Sequence, residues 1–262
     1  MTHYLHSDLT HTIIGVYYDV YNGLGNTYPE HVYEKAMLYD LQRLGIRCSR
    51  QDEYQIFYKE TLVGLQKLDL FVADHVIVEL KVAPELTNLH MAQAISYLKA
   101  FNKEVGLLLN FGGSSATPKR TYFSPQAMSY TTKPLEQSAT ALIDSHITDQ
   151  IIGGLYEVHQ TLGAGFIYRI YANACYEELA QRGLPVRRQR EMQVVYRNQP
   201  LTKIKFAHLR VGDTALVFPV AITDINQISI NNIKDWLRLE QVPLAIVANF
   251  YDLRLRPVVL KA

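Results

Sequence analysis

The sequence is short of cysteine and of long apolar runs, and each shortage excludes a class of protein. Two cysteines in 262 residues, Cys48 and Cys175, are too few for a disulfide framework and lack the spacing of zinc ligands. We interpret both as ordinary buried thiols in a reducing cytosol. No run approaches the 18 or so apolar residues of a membrane span. The N-terminal residues lack the basic and apolar regions of a secretory signal, so we expect a cytoplasmic protein.

The composition is that of a soluble globular protein, with 48% hydrophobic and 19% charged residues. A net charge of +1 does not by itself indicate a polyanionic partner. The charge is unevenly distributed, however: residues 1–138 carry 12 basic and 14 acidic side chains, whereas residues 139–262 carry 14 and 11. The basic residues of the second half are either nucleic-acid contacts or dispersed solubilising charges. They include RRQR (187–190), Lys203, Lys205, Arg210, Arg254 and Arg256.

The two halves of the chain repeat each other. The segment from Thr12 to Tyr58 returns from Gln150 to Tyr196 at an offset of 138, and about a third of the positions are identical. Asn110-Phe111 matches Asn249-Phe250 at an offset of 139, so one residue is inserted between these points. We interpret the chain as a tandem duplication.

A polar, small-residue segment around residues 134–146 is the expected linker, which predicts domains at 1–135 and 146–262. The elements predicted for the first copy are two helices, three strands, a helix and a buried strand, and this order indicates an α/β domain. We predict a central mixed sheet flanked by helices in each domain. The predicted boundaries are a helix ending at Gly25, a helix from Pro29 to Gly45, strands at 53–58, 65–72 and 75–82, a helix at 87–102 capped by Thr87, and a strand at 104–112.

Two carboxylates and a lysine lie in the segment LDLFVADHVIVELK. Residues two apart in a strand face the same side, so Glu79 and Lys81 project together. If the hairpin loop is residues 73–75, Asp69 lies opposite Glu79. Opposed like charges need a compensating cation, and Mg²⁺ binds one or two carboxylates while leaving positions for water and phosphate. Lys81 would then orient or deprotonate a water, or neutralise charge developing on phosphorus.

A simpler alternative is a surface hairpin on which these three side chains form an exposed ion-pair cluster. The flanking residues Ile77-Val78 and Leu80 are strongly apolar, which instead places the charges on a central strand. Charged side chains in such a strand are costly unless they have partners or a function.

The ordered motifs of residues 12–112 resemble the PD-(D/E)XK nuclease superfamily, and within it the bacterial GxxExxY proteins. The motifs are IIG, LG, ExxY, YK, DL, IVELK, AQ, YL and LLLNFG. The resemblance implies a restriction-endonuclease-like fold and Mg²⁺-dependent hydrolysis of phosphodiester bonds, with Mn²⁺ as a substitute. Two positions depart from the usual pattern, Leu68 where a proline is common and Thr27 where a glycine is common.

The resemblance assigns roles to six residues of the first copy. Asp69 and Glu79 match the metal ligands, and Lys81 matches the catalytic lysine. Glu30 is either a third acidic ligand or a charge that favours the helix dipole. Gln93 and Tyr97 match a Q-x-x-x-Y pair that orients active-site groups or substrate, and their spacing puts them on one helix face.

Tyr33, the tyrosine of the family motif, is either a core residue or a catalytic one. The second copy keeps it as Tyr171 although the other site residues have changed. This retention favours the core interpretation.

The second copy has lost these residues. Glu30 aligns with Tyr168, and Gln93 and Tyr97 align with Asn232 and Trp236. The remaining alignments depend on where the inserted residue falls: Asp69 with Ala207 or His208, Glu79 with Val217 or Phe218, and Lys81 with Pro219 or Val220. We expect this copy to be inactive and to serve as the partner of a pseudo-dimer or as a nucleic-acid platform.

Three functions are compatible with the sequence. The first is a metal-dependent nuclease acting on DNA or RNA, which the intact Asp69, Glu79 and Lys81 favour. The second is a non-catalytic nucleic-acid-binding or adaptor protein on a nuclease fold. The acidic first half weighs against the first function, because nucleases usually have a stronger basic groove. The third is a scaffold for protein partners, including further copies of this chain.

Overall fold

A computed structural model of the chain describes residues 5–124, 145–197 and 199–262. Their contacts divide the described residues into two compact units. The first unit draws on Met1–Ile56 and Leu65–Thr131, and the second on Phe57–Gly64 and Thr132–Ala262. Residues 134–144 of the predicted linker lie outside the described residues.

The first copy folds as a mixed sheet with helices. Its elements are α1 (Ser7–Leu24), α2 (Glu30–Arg43), β1 (Cys48–Arg50), β2 (Glu53–Tyr58), β3 (Thr61–Lys67), β4 (Leu70–Val72), β5 (Val76–Lys81), α3 (Asn88–Ala100), β6 (Val105–Asn110) and β7 (Thr117–Tyr122). Five strands form a sheet in the order β1-β4-β5-β6-β7, and β2 pairs with β3 separately. The β5–β6 pair is parallel and its neighbours are antiparallel, which confirms the predicted mixed sheet.

The helices form where apolar residues recur at helical spacing. In α1 the residues Ile13, Val16, Tyr17 and Val20 are buried on one face. The helix ends at Gly25, whose positive φ of 72° suits glycine and whose N–H donates to the carbonyl of Tyr21. These side chains pack with the strands of the sheet into a single apolar cluster.

Helix α3 begins as the sequence predicts. The Thr87 side chain accepts a hydrogen bond from the backbone N–H of His90, and the His90 ring accepts one from the N–H of Thr87. The two bonds form a capping box. The cap fixes the start of the helix that carries Gln93 and Tyr97.

The strands differ from the prediction in two ways. The predicted strand at 65–72 is divided into β3 and β4 at Leu68-Asp69, where the N–H of Gln51 donates to both carbonyl oxygens. The short strand β1 and the edge strand β7 were not predicted from the sequence. Neither has a clear apolar alternation, because β1 is only three residues long and β7 begins with Thr117-Pro118-Lys119-Arg120.

The second unit repeats the architecture. Its elements are α4 (Ser145–Leu162), α5 (Tyr168–Gln181), β8 (Val186–Tyr196), β9 (Gln199–Val211), β10 (Ala215–Val220), a short 3₁₀ helix (Ile225–Gln227), α6 (Ile230–Glu240), β11 (Leu244–Asn249) and β12 (Val258–Lys261). The sheet has the order β12-β11-β10-β9-β8, with β10–β11 parallel and the other pairs antiparallel.

The cysteines and the helices agree with two expectations from composition. Cys48 and Cys175 are both buried free thiols, as predicted. None of the helices in the part of the chain that the structure describes is long and apolar enough to cross a membrane.

Candidate metal centre

The β4–β5 hairpin has the register that the sequence predicts. Leu70 pairs with Val78 and Val72 pairs with Val76, so the loop is residues 73–75. Continued by one residue, this register sets Asp69 opposite Glu79. Asp69 lies just before β4, at the interruption between β3 and β4.

Hydrogen bonds hold the Asp69 carboxylate in a buried position. Its Oδ2 accepts from the backbone N–H of Leu80 at 2.8 Å, and its Oδ1 accepts from Nε2 of Gln51 at 3.2 Å. Burial raises the pKa of Asp69, although the Leu80 bond and the Lys81 charge act in the opposite direction. The carboxylate is therefore oriented before any ligand arrives.

Glu79 and Lys81 form an ion pair on β5 in which Glu79 is buried and Lys81 is partly buried. Lys81 Nζ donates to Glu79 Oε1 at 2.5 Å, and Leu80 between them points into the core cluster. Burial, and then the neighbouring charge of Asp69, raise the pKa of Glu79 to about 8. Burial tends to lower the pKa of Lys81, but the carboxylates of Glu79, Glu30 and Asp69 outweigh it and raise the pKa.

A second glutamate of α2 joins the acidic residues. Oxygen atoms of Glu30, Glu34 and Asp69 all lie within 4.8 Å of one another. Glu34 is buried, and its Oε2 accepts from Nη1 of Arg50 at 2.8 Å. Burial raises the pKa of Glu30 to about 7; the charge of Lys81 opposes this rise and that of Asp69 adds to it.

The sequence analysis missed Glu34, although two signals pointed to it. Glu34 lies one helical turn after Glu30, and the second copy has Ala172 at its position. The second copy has therefore lost Glu34 together with Glu30, which indicates that both carboxylates belong to the same site.

The donor set fits a hard divalent cation. Three carboxylates with converging oxygens supply the ligand type that Mg²⁺ and Mn²⁺ prefer. Burial is the largest cause of the raised pKa of Glu30, Asp69 and Glu79, and the nearby carboxylates add to it, so keeping these acids ionised in the folded state costs free energy. A bound cation would offset that cost, and Arg50 and Lys81 offset only part of it.

The raised pKa values predict how the stability of the metal-free protein depends on pH. Glu30 and Glu79 have folded-state pKa values of about 7 and about 8, above the ordinary value of 4.5. Between pH 4.5 and these folded-state pKa values, the folded state binds more protons than the unfolded state. The free energy of unfolding therefore falls as pH rises. One pKa unit corresponds to about 1.4 kcal/mol. We expect Tm in EDTA to fall between pH 5 and pH 8.

The Glu79→Gln variant is the control for this pH dependence. It removes the carboxyl group with the larger shift, so its Tm should fall less steeply over the same pH range. Equal slopes in the two proteins would contradict the assignment of the pH dependence to Glu79.

Gln93 and Tyr97 lie together on α3, as their spacing predicts. Gln93 Nε2 donates to the Tyr97 hydroxyl oxygen at 2.8 Å, and Gln66 Nε2 donates to the same oxygen at 3.1 Å. Tyr97 is 2% exposed. Their role in orienting active-site groups stays a prediction.

His90 is a further neighbour that the sequence analysis did not single out. Burial lowers its pKa, and the charge of Lys81 lowers it further. The imidazole is therefore biased towards its neutral form close to the ion pair. Its capping role at the start of α3 brings it there.

Tyr33 has a structural role, which the comparison of the two copies supports. Its hydroxyl donates to the carbonyl of Gly25 at 2.9 Å and accepts from the N–H of Tyr28 at 3.1 Å. In the second unit Tyr171 donates to Gly163 at 2.7 Å and accepts from Phe166 at 3.1 Å. The same bonds persist where the acids are gone.

The sheet registers resolve the alignment of the second copy. Leu70 pairs with Val78, and Leu209 pairs with Val217. Lys81 pairs with Asn110, and Val220 pairs with Asn249. The offset is therefore 139 at the site, and the equivalents of Asp69, Glu79 and Lys81 are His208, Phe218 and Val220.

Stacked rings occupy these positions in the second unit. His208 stacks on Phe218 with centroids 5.5 Å apart, and Trp236, the equivalent of Tyr97, packs edge-on against both rings. His208 Nε2 lies 2.5 Å from Oε1 of Gln189, which repeats the contact between Gln51 and Asp69. Apolar packing thus replaces a cluster of charges.

The first unit is an α/β domain in which two carboxylates of α2 converge with Asp69 of the β4–β5 hairpin, and Lys81 lies partly buried on β5. The family model described as the PD-(D/E)XK nuclease superfamily matches the chain twice, over residues 7–121 and 145–260. The chain belongs to this superfamily, and the two matches confirm the tandem duplication. No curated protein and no solved structure matches the chain. The narrower GxxExxY assignment stays a prediction.

Proposed function

We propose that the chain is a Mg²⁺-dependent nuclease that hydrolyses phosphodiester bonds of DNA or RNA at the site of the first copy. Nucleases of this superfamily generally use divalent metals and act on nucleic acid. The observation that carries the proposal is the convergence of Glu30, Glu34 and Asp69 beside the Glu79–Lys81 pair.

Asp69, Glu30 and Glu34 would hold the cation, and Glu79 would complete the set from the neighbouring strand. A divalent cation bound there supplies positive charge that polarises a phosphoryl oxygen and lowers the pKa of a coordinated water. The hydrogen bonds from Leu80 and Gln51 keep Asp69 in position, and Arg50 keeps Glu34 in position. These contacts reduce the reorganisation that binding requires.

Lys81 would act through its charge. Its raised pKa keeps the ammonium protonated, which suits a hydrogen-bond donor better than a general base. The ammonium group can donate to a non-bridging phosphate oxygen as negative charge builds during attack. Gln93 and Tyr97 would orient neighbouring groups or substrate from α3.

We further propose that the second copy is inactive and contributes binding. His208, Phe218 and Val220 offer neither the acidic ligands nor the lysine that this chemistry needs. Its net positive charge suits a nucleic-acid platform. The role of a pseudo-dimer partner stays a prediction.

The alternative is a nucleic-acid-binding adaptor that does not turn over. The excess of acidic over basic residues in the first half weighs against a catalytic groove there, because phosphate binding depends on basic side chains, whereas the basic second half suits binding alone. Salt-dependent binding without cleavage would identify this alternative.

The test is a cleavage assay on single- and double-stranded DNA and RNA with Mg²⁺, Mn²⁺ or EDTA. We expect cleavage that depends on the metal and that is lost in Asp69→Asn, since the amide removes a charged ligand. We also expect the metal to raise Tm in the parent protein and to raise it much less in Asp69→Asn.

Asp74→Asn is the matched control, because Asp74 is an exposed aspartate of the same hairpin that pairs with Arg47. Asparagine also tolerates its φ of 59°. The control should retain both the cleavage and the metal-induced rise in Tm. Absence of cleavage on every substrate, or cleavage that persists in EDTA, would overturn the proposal.

A further inference from the structure

The second unit contains a pocket at the position that corresponds to Glu30 of the first copy. A cavity of about 480 Å³ lies between the start of α5 and the strands β8 and β9. Tyr168, the equivalent of Glu30, forms part of its wall. The volume is within the range of pockets that bind small ligands.

An aromatic pair forms one side of the pocket. The rings of Tyr168 and Phe206 lie parallel, with centroids 5.9 Å apart and planes 10° from each other. Phe206 lies over His208 in turn, with centroids 6.2 Å apart. The aromatic wall is therefore supported from behind by the stacked rings that replaced the acids.

Three cations line the same pocket: Arg169, Arg190 and Lys205. Among the residues that the structure describes, none of the three has a carboxylate within ion-pair distance. Other cations of this unit are paired, such as Arg188 with Glu177 and Arg210 with Asp213 and Glu240. Arg169 lies over the Tyr168 ring at 5.9 Å and donates from Nε to its hydroxyl at 3.3 Å, so its positive charge is held against the aromatic wall of the pocket.

The acid of the pocket is already engaged. Glu191 lies 3.7 Å from Lys203 and directly opposite Lys205 in the strand register, so it offsets at most one of the three positive charges of the pocket. The pocket therefore keeps an excess of positive charge beside its aromatic wall.

The strand pair β8–β9, which lines this pocket, is irregular. The offset between copies is 138 at the hairpin tip, where Lys59 and Arg197 share a positive φ, and 139 at His208. Between these points the register of β8 and β9 shifts twice, once between Val194 and Val195 and once where Arg190 faces Phe206 and Ala207. Such a bulge redirects side chains, and here it coincides with the residues that line the pocket.

We propose that this pocket binds one nucleotide unit of a single-stranded nucleic acid, with the base stacked on Tyr168 and Phe206 and the adjacent phosphates on Arg169, Arg190 and Lys205. Proteins that bind single strands combine aromatic platforms with basic side chains that follow the backbone. A duplex does not offer a free base face, since its bases are stacked on each other. The choice of ligand rests on the proposed function, but binding requires neither metal nor turnover.

The test is fluorescence anisotropy in EDTA, so that binding is measured without cleavage. The probes are a labelled oligothymidine and an oligouridine, and the competitors are the unlabelled single strand, a duplex, a nucleoside monophosphate and inorganic phosphate. We expect the single strand to compete most effectively. Free nucleotide competing equally well on a molar basis would identify a mononucleotide site and overturn the single-strand proposal.

Variants separate the two parts of the pocket. Tyr168→Ala should weaken binding by about tenfold or more, as expected for the loss of base stacking. Arg190→Ala combined with Lys205→Ala should lower the slope of log affinity against log salt by about 1.4, because each phosphate contact to a single strand contributes about 0.7. Tyr168→Phe keeps the ring and should retain the binding that Tyr168→Ala loses. Arg238→Ala is the control for charge, because it removes an exposed cation that pairs with Asp235 on α6.

The outcomes distinguish this inference from the proposed nuclease function. Binding that depends on the pocket, without any metal-dependent cleavage, supports the pocket and overturns the nuclease. Cleavage and binding that are unaffected by the pocket variants overturn the pocket and leave the nuclease intact. A salt slope that falls equally in Arg238→Ala would also overturn the pocket, since general positive charge would then explain the binding.

Discussion

Lys81→Ala is expected to lower the rate of phosphodiester cleavage by about 10²–10³-fold, the loss typical of removing one donor that stabilises transition-state charge. Lys81 is the only basic side chain on β5, and its Nζ contacts Glu79 at 2.5 Å. Alanine removes the ammonium group and leaves the carboxylates in place. The measurement is the single-turnover rate with saturating protein and Mg²⁺.

Two further measurements separate a catalytic loss from a structural one. Lys81→Ala should retain the metal-induced rise in Tm, because the carboxylates that would bind the cation remain. Lys35→Ala, which removes an exposed lysine from α2, should cleave at the parent rate. An unchanged rate in a folded Lys81→Ala protein would remove Lys81 from the mechanism.

Phe111→Ala is expected to destabilise the first unit by about 3–5 kcal/mol, the usual cost of deleting a buried aromatic ring. Phe111 is fully buried; Tyr33 stacks on it with centroids 4.2 Å apart, and Tyr17 meets it edge-on at 4.9 Å. The surrounding rings cannot close the space, because Tyr17 and Tyr33 are also held by hydrogen bonds of their hydroxyls. The measurement is the urea midpoint of unfolding.

The second copy provides a parallel test of the same packing. Phe250 stacks on Tyr171 with centroids 4.5 Å apart, so Phe250→Ala should cost a similar free energy in the second unit. Tyr39→Ala is the surface control: its side chain is 63% exposed, and its effect should stay within about 0.5 kcal/mol. A cost near 1 kcal/mol for Phe111→Ala would mean that the site can relax around the cavity.

Much of the fold could be predicted because the local signals were strong. Apolar periodicity and glycine ends identified α1 and α2, and the alternation of Glu79, Leu80 and Lys81 identified the two faces of β5. The repeat added independent support, since each feature of one copy could be checked in the other. The β4–β5 register followed from the loop length alone.

The remaining parts depend on contacts that are distant in sequence. The strands β1 and β7 form by pairing with β4 and β6, and their own residues carry little strand pattern. The break at Leu68-Asp69 follows from hydrogen bonds with Gln51. Glu34 joins the site because α2 brings it beside Asp69, which no pattern within the strands could reveal.

By itself, the sequence determined that the protein is a duplicated α/β chain whose first copy carries Asp69, Glu79 and Lys81 in one hairpin segment. Strand alternation and the repeat are local or comparative properties, so they could be read without coordinates. The tertiary structure decided which acids converge: Glu30, Glu34 and Asp69 come from a helix and a strand end that only packing brings within 4.8 Å. The tertiary structure also decided which residues replace the acids in the second copy, because the equivalence of His208 with Asp69 and of Phe218 with Glu79 depends on sheet register. The rings of His208 and Phe218 stack in the place of the acids and support the pocket beside them.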